Sequence, residues 1–194
     1  IGGEITCNTT QMPDFKKIAK DVIKDIGYTK EEYLFSDKNV QIDIKIHTQS
    51  NDIAQGVDAN KDEDIGAGDQ GIMFGYASNE TEGYMPLPIV VAQKLVRIAT
   101  NHRKSGLFKY ARPDMKSQVT IDYTNPNKPR IATILMSIQH DEDYNEKEFK
   151  KYILEEIMKP VATSFELNTD FDVLINPTGR FVLGGPAGDT GLTG

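Results

Sequence analysis

Cysteine is almost missing from this chain: Cys7 is the only one in 194 residues. That excludes an internal disulfide framework and a multi-cysteine zinc site. No apolar run approaches the ~18–20 residues of a membrane span, and no signal peptide is recognisable. Positive charge is scarce too, since 22 Lys and Arg face 29 Asp and Glu for a formal net charge of −7. A general nucleic-acid binder is thereby excluded, because phosphate backbones require a basic face. What is present, 38% hydrophobic and 26% charged residues, is enough to bury a core and argues against wholesale disorder. The length suits one large domain or parts of two, and a cytoplasmic globular protein is the expectation. The chain starts Ile1-Gly2-Gly3-Glu4 and stops inside a glycine-rich run at Gly194. Neither end resembles a polar, solvated tail, so a piece of a longer protein is expected.

Hydrophobic spacing places the elements. Between Pro13 and Gly27, Phe15, Ile18, Ala19, Val22, Ile23 and Ile26 share one helical face, with Pro13 suited to the first turn and Gly27 to the stop. Val40, Ile42, Ile44 and Ile46 alternate with polar residues and predict a half-buried strand. Residues 48–64 are polar and aperiodic, a length that suits a lid or binding loop. Ile72–Tyr76 reads as a strand. Pro86–Lys104 reads as a helix buried over a wide arc through Ile89, Val90, Gln93, Val96 and Ile98. Gln118–Tyr123 and Ile131–Gln139 are β-rich runs joined by the turn-forming Asn125-Pro126-Asn127-Lys128-Pro129. Glu146–Met158 is an amphipathic helix through Phe149, Ile153 and Ile157, with Pro160 just past it. Phe171–Ile175 and Arg180–Leu183 read as short strands. The order predicts an α+β fold, with mixed or antiparallel sheets and helices packed on one face.

Glycine is clustered twice, at Gly66, Gly68, Gly71 and Gly75 and again from Gly179 to Gly194, and each cluster holds a carboxylate, Asp69 or Asp189. Such backbone can approach a ligand closely, although ordinary turns would look the same. Gly66-Ala67-Gly68-Asp69-Gln70-Gly71 matches G-x-G-x-x-G but lacks the preceding strand and following helix of a dinucleotide site. A Walker A loop and the kinase V-A-I-K strand are missing. In Arg112-Pro113-Asp114-Met115-Lys116, Asp114 and Lys116 stand two apart on a strand and so point the same way. They could hold a sugar hydroxyl and a phosphate together, or form a surface ion pair. Arg180-Phe181 could join a phosphate-binding cation to an aromatic base platform, or be an ordinary strand pair. His47, His102 and His140 lack metal-ligand spacing and read as surface or helix-end residues; Cys7 reads as a packed side chain.

Taken together, Gly66-Ala-Gly-Asp-Gln-Gly-Ile-Met-Phe-Gly-Tyr-Ala77 resembles the signature of the S-adenosylmethionine synthetase (methionine adenosyltransferase) family. Gly2-Gly-Glu-Ile-Thr6, Gln49-Ser-Asn-Asp-Ile-Ala-Gln-Gly-Val57, Arg112-Pro-Asp-Met-Lys-Ser-Gln-Val-Thr120, Asn176-Pro-Thr-Gly-Arg-Phe181 and Gly184-Gly-Pro-Ala-Gly-Asp-Thr-Gly-Leu-Thr-Gly194 resemble further family motifs. They fall in order along essentially the whole chain. Asn51 stands where the family usually has Pro, and Thr190 where Ala or Cys is usual.

The resemblance implies synthesis of S-adenosylmethionine from ATP and L-methionine with release of phosphate and pyrophosphate. It implies a three-domain pseudo-threefold fold, a homodimer or dimer of dimers with sites between subunits, and a pair of Mg²⁺ ions with K⁺. Residues 1–48 would end the first domain, 49–63 form the mobile active-site loop, 64–183 the central domain and 184–194 the start of the third. Asp69, Lys116 and Asp189 are the implied catalytic residues, with Asp69 on the adenosine or sulfonium side. Asp114, Lys116, Thr178, Gly179, Arg180, Phe181 and Asp189 match ATP-binding positions, with Lys116 on a phosphate and Phe181 on the adenine. Glu4, Gln49 and Asp189 match methionine-binding positions. No metal ligand is implied within the chain. The family's His-Pro-Asp-Lys segment is expected upstream and its Arg-Lys pair and second glycine-rich loop downstream, so residues 1–194 alone should be inactive. The rival readings are a non-catalytic binding or regulatory subunit of the same fold and an unrelated ATP phosphotransferase.

Overall fold

The computed structural model describes residues 1–7, 9, 11–53, 66 and 70–189. The fold is α+β, with one mixed sheet covered on one face by helices. A short parallel ribbon pairs β1 (Gly2–Glu4) with β2 (Lys45–His47) in the register Gly2–Lys45 to Glu4–His47. Between them lies α1 (Phe15–Ile26). Asp14 caps it by accepting from Lys17 N–H, and Gly27 closes it in the left-handed conformation at φ 114°, the turn that a residue without a β-carbon makes at least cost. The predicted apolar stripe forms, but Ile18, Val22 and Ile26 stay exposed among the described residues.

The main sheet has the order β3 (Ala111–Asp122), β4 (Arg130–His140), β5 (Asp172–Ile175). β3 and β4 are an antiparallel hairpin across the Asn-Pro-rich turn, as predicted, and β5 runs parallel to β4. Helix α2 (Leu87–Lys104) lies against this sheet, tied by Ser117 Oγ donating to the Ala92 carbonyl at 2.7 Å. Its start is held by the Glu80 carboxylate, which accepts from Leu87 N–H at 2.8 Å; that bond lowers the Glu80 carboxyl below its ordinary value. The buried stripe is Leu87, Val91, Ala92, Leu95 and Ala99, not the expected set, for Ile89 is 41% exposed. These side chains meet Val119, Ile131, Ile134, Met136 and Ile138 from the sheet and Phe149, Ile153 and Ile157 from the last helical rod.

That rod consists of α3 (Glu146–Tyr152), a π-helical segment (Ile153–Met158) and α4 (Lys159–Ser164). It therefore continues past Pro160, where sequence predicts an end. Widening to a π register, in which Lys159 N–H reaches the Leu154 carbonyl, lets the rod pass a residue that has no N–H to give.

Three predicted strands differ. Only residues 45–47 of the 40–47 alternation are paired, because β1 offers just three partners. Ile72–Tyr76 is not a strand, and Ile72, Met73, Phe74 and Tyr76 are 81–95% exposed. Arg180–Leu183 forms no ladder either; side chains hold it instead, as described below. Among the described residues, no helix is long and apolar enough to cross a membrane.

Candidate functional site

The site is organised by a break in β3. Pro113 cannot donate to a sheet ladder, and the register between β3 and β4 shifts between Ala111 and Met115. In that gap Arg112 and Asp114 reach the segment that follows β5. Arg112 is buried; its Nε donates to Asp141 Oδ1 at 2.9 Å, its Nη1 to the Val182 carbonyl at 3.4 Å, and its guanidinium lies 4.8 Å from the Tyr33 ring centroid. Asp114 Oδ2 accepts from Gly185 N–H at 2.8 Å. A β-carbon at Gly184 would stand 2.6 Å from the Phe181 ring and 3.0 Å from Asp114 Oδ2, so this glycine lets three groups meet. Lys116 follows on the same face, its Nζ 5.9 Å from the Phe181 ring centroid.

The segment carrying Phe181 is shaped by Asn176. Its amide accepts from Ile138 N–H at 2.7 Å and donates to the Ile138 carbonyl at 3.0 Å. Its own carbonyl accepts from Gly179 N–H at 2.9 Å, closing the turn at Thr178 and Gly179, with Gly179 at φ 93°. From there the chain passes along the end of β4. Phe181 exchanges bonds with His140, and Val182 accepts from Gln139 Nε2 at 2.8 Å. A short 3₁₀ turn (Gly185–Ala187) follows, and Asp189 N–H donates to the Gly185 carbonyl at 3.1 Å. Tyr28, from the turn after α1, packs against Gly185. Burial, then the Asp114 carboxylate, raises the Tyr28 phenol above its usual value, so it stays neutral.

The structure thus brings together Asp114, Lys116 and Phe181, with Thr178, Gly179 and Asp189 on the turns that flank them. Arg180 points elsewhere: its Nη2 donates to Glu142 Oε1 at 2.5 Å, with both side chains mostly exposed. Glu4 ends β1 of the ribbon at the other end of the described chain, and Gln49 lies just past β2. Glu4 lies 3.8 Å from His47 Nδ1, and Gln49 N–H donates to Thr6 Oγ1 at 3.2 Å. Asp69 and residues 54–63 of the predicted loop lie outside the described residues.

His140 corrects the sequence expectation of a surface or helix-end residue: it is fully buried. Gln139, Asn176, Tyr28 and Asp141 were also not singled out. A signal was available for Gln139 and for the burial of His140, since the pair ends a strand rich in apolar residues. Among the described residues no three or more His, Cys, Asp or Glu side chains gather in a metal-binding group.

Residues 64–181 match the family model described as S-adenosylmethionine synthetase, central domain. The chain belongs to the S-adenosylmethionine synthetase family. It is 64% identical over 194 residues to the S-adenosylmethionine synthase of Mycoplasma capricolum subsp. capricolum, covering 100% of this chain and 49% of that protein. The corresponding protein of Mycoplasma mycoides subsp. mycoides SC is 63% identical with the same coverage. That of Streptococcus suis is 46% identical over 205 residues, covering 100% of this chain and 51% of its own length. The chain therefore spans about half the length of the curated relatives it matches.

Proposed function

We propose that the full-length protein makes S-adenosylmethionine from ATP and L-methionine, releasing phosphate and pyrophosphate. One observation carries this reading: Asp114, Lys116, Phe181 and the Gly184–Gly185 backbone converge on one spot in a family whose relatives are named for that synthesis. A cation beside an aromatic face is what a nucleotide needs, its base on the ring and its phosphates on the charge.

The nucleophile is the methionine thioether, which attacks C5′ of ATP in line while the triphosphate leaves, and water then hydrolyses the triphosphate to phosphate and pyrophosphate. A thioether sulfur has no proton to lose, so no general base is required. Alignment is then the main resource, and good alignment supplies ~7–11 kcal/mol. In this scheme Phe181 holds the adenine, Lys116 meets a phosphate oxygen, and Asp114 keeps the glycine turn in place from behind. Arg180 would trade Glu142 for a phosphate; exposed ion pairs of that kind are worth little, so the exchange costs little. Glu4, Gln49 and Asp189 would hold methionine, and Asp69 would favour the developing sulfonium charge. Magnesium and potassium ions would neutralise the leaving triphosphate. The described residues do not assemble a metal-binding group.

On this reading residues 64–183 form the central domain, which the matched range 64–181 supports, flanked by residues 1–48, the loop 49–63 and residues 184–194. The exposed Ile72, Met73, Phe74 and Tyr76 support burial in a homodimer or dimer of dimers. The test is to incubate the full-length protein with ATP, methionine, Mg²⁺ and K⁺ and to quantify S-adenosylmethionine, phosphate and pyrophosphate. All three should rise together. Nucleotide binding without turnover would instead indicate a regulatory subunit, and ADP as the nucleotide product a phosphotransferase.

A further inference from the structure

Phe181 sits on a segment that belongs to no strand, yet its backbone is held at both ends of one residue. Its N–H donates to His140 Nε2 at 3.0 Å, and its carbonyl accepts from His140 N–H at 2.9 Å. Because Nε2 accepts, the ring proton is on Nδ1, which donates to the Asp141 carbonyl at 2.8 Å. The ring cannot turn away: it stacks on Tyr144 with centroids 3.8 Å apart, meets Phe149 edge-on at 5.8 Å, and is fully buried. The neighbouring Gln139 donates its Nε2 to the Val182 carbonyl. A sheet ladder would have satisfied the Phe181 N–H with a carbonyl; here a locked imidazole does so.

We propose that His140 is a positioning residue for nucleotide binding: as a neutral Nδ1–H tautomer it fixes the Phe181 backbone, and so aims the Phe181 ring at the adenine. This rests on the ATP reading above. It predicts an effect confined to ligands that carry a base. His140→Phe keeps the ring volume and the Tyr144 stack but removes the acceptor, whereas the His140→Gln amide oxygen can replace Nε2.

The experiment uses full-length protein and titrates ATP and inorganic triphosphate separately, each with Mg²⁺, by calorimetry. Base stacking sets the scale, so His140→Phe should weaken ATP roughly ten-fold or more, leave triphosphate unchanged, and be largely rescued in His140→Gln. Hydrogen exchange at the Phe181 amide, measured without ligand, should quicken in His140→Phe and not in His140→Gln. Unchanged ATP affinity in His140→Phe overturns the proposal. So do equal losses for both ligands, which would mark a merely structural residue, or an unaltered Phe181 amide. Wild-type protein that binds triphosphate but no ATP overturns the ATP reading itself, and the exchange measurement then decides the Phe181 brace separately.

Discussion

Asn168 and Asn176 bracket β5 in the same way, each using one side-chain amide to satisfy both backbone groups of a β4 residue. Asn168 accepts from Ile131 N–H at 2.7 Å and donates to the Ile131 carbonyl at 3.0 Å. Asn176 repeats this at Ile138. Between them the true strand, Asp172–Ile175, pairs with Thr133–Met136. Two asparagines thus extend a four-residue strand along most of β4, and β4 leads into the candidate site.

The two are not equivalent, which gives a prediction. Asn176 is buried at φ 44° and begins the turn that delivers Phe181. Asn176→Ala leaves the N–H and carbonyl of fully buried Ile138 unpaired, each worth about 1–3 kcal/mol. It should destabilise the protein by several kcal/mol and lower ATP affinity. Asn168→Ala, at the half-buried end, should cost less and leave ATP affinity unchanged. Denaturant unfolding and ATP titration of both variants check the pair; equal effects on ATP would show that the Asn176 turn does not place Phe181.

Gly185 carries a positive φ of 62°, and the Tyr28 hydroxyl fills the space a β-carbon would take. Gly185→Ala should combine about 1–2 kcal/mol of backbone strain with about 1–3 kcal/mol of overpacking. Adding Tyr28→Leu opens the space but not the dihedral angle. The double variant should therefore recover part of the lost stability, a coupling that a double-mutant cycle measures. Strict additivity of the two substitutions would mean the contact carries no energy.

How much of this was legible from sequence depends on whether the cause was local. The β3–β4 hairpin was, because Asn125 to Pro129 permits little except a turn and the flanking runs are β-rich. Helix α1 was too, through its spacing and the Gly27 stop. Ile72–Tyr76 and Arg180–Leu183 were misread as strands because a strand exists only with a partner, and partnership is a long-range fact. The rod through Pro160 was hidden for another reason: a π register six residues long leaves no compositional trace. At the site, the Asp114–Lys116 spacing and the Arg180-Phe181 pair were visible, and the structure joins three of those four residues. The Arg180 contact with Glu142 was not visible. Nor was His140, whose burial depends on Tyr144 from the loop after β4 and Phe149 from the next helix wrapping over it.

Phe181 and Lys116 should separate by ligand. If the ring holds the base, Phe181→Leu should weaken ATP by about 1–3 kcal/mol, roughly 5- to 150-fold, and leave inorganic triphosphate alone. If Lys116 meets a phosphate, Lys116→Met should weaken both ligands, by about 1.5–3 kcal/mol for a charge-assisted bond. Calorimetric titration of the full-length variants with both ligands checks this. Lys116→Met acting on ATP alone would move that cation from the phosphates to the ribose or base.

Acid should reach the β4–β5 junction through Asp170. Its carboxylate accepts from Asn168 and from Arg130, whose Nη2 lies 2.7 and 2.9 Å from the two oxygens. The Asn168 bond first, then Arg130, holds the carboxyl below its ordinary value. A carboxyl lowered in the folded state binds its proton less readily there than in the unfolded chain. Its stabilising contribution is therefore complete above the unfolded value of about 4 and disappears as pH falls through the lower folded value. Asp170→Asn cannot titrate. The difference in denaturation midpoint between wild type and Asp170→Asn should stay constant from neutral pH to about 5 and shrink below about 4. A difference that instead persists unchanged to pH ~3 would show that the Asn168–Asp170–Arg130 contacts contribute nothing that depends on the charge of Asp170.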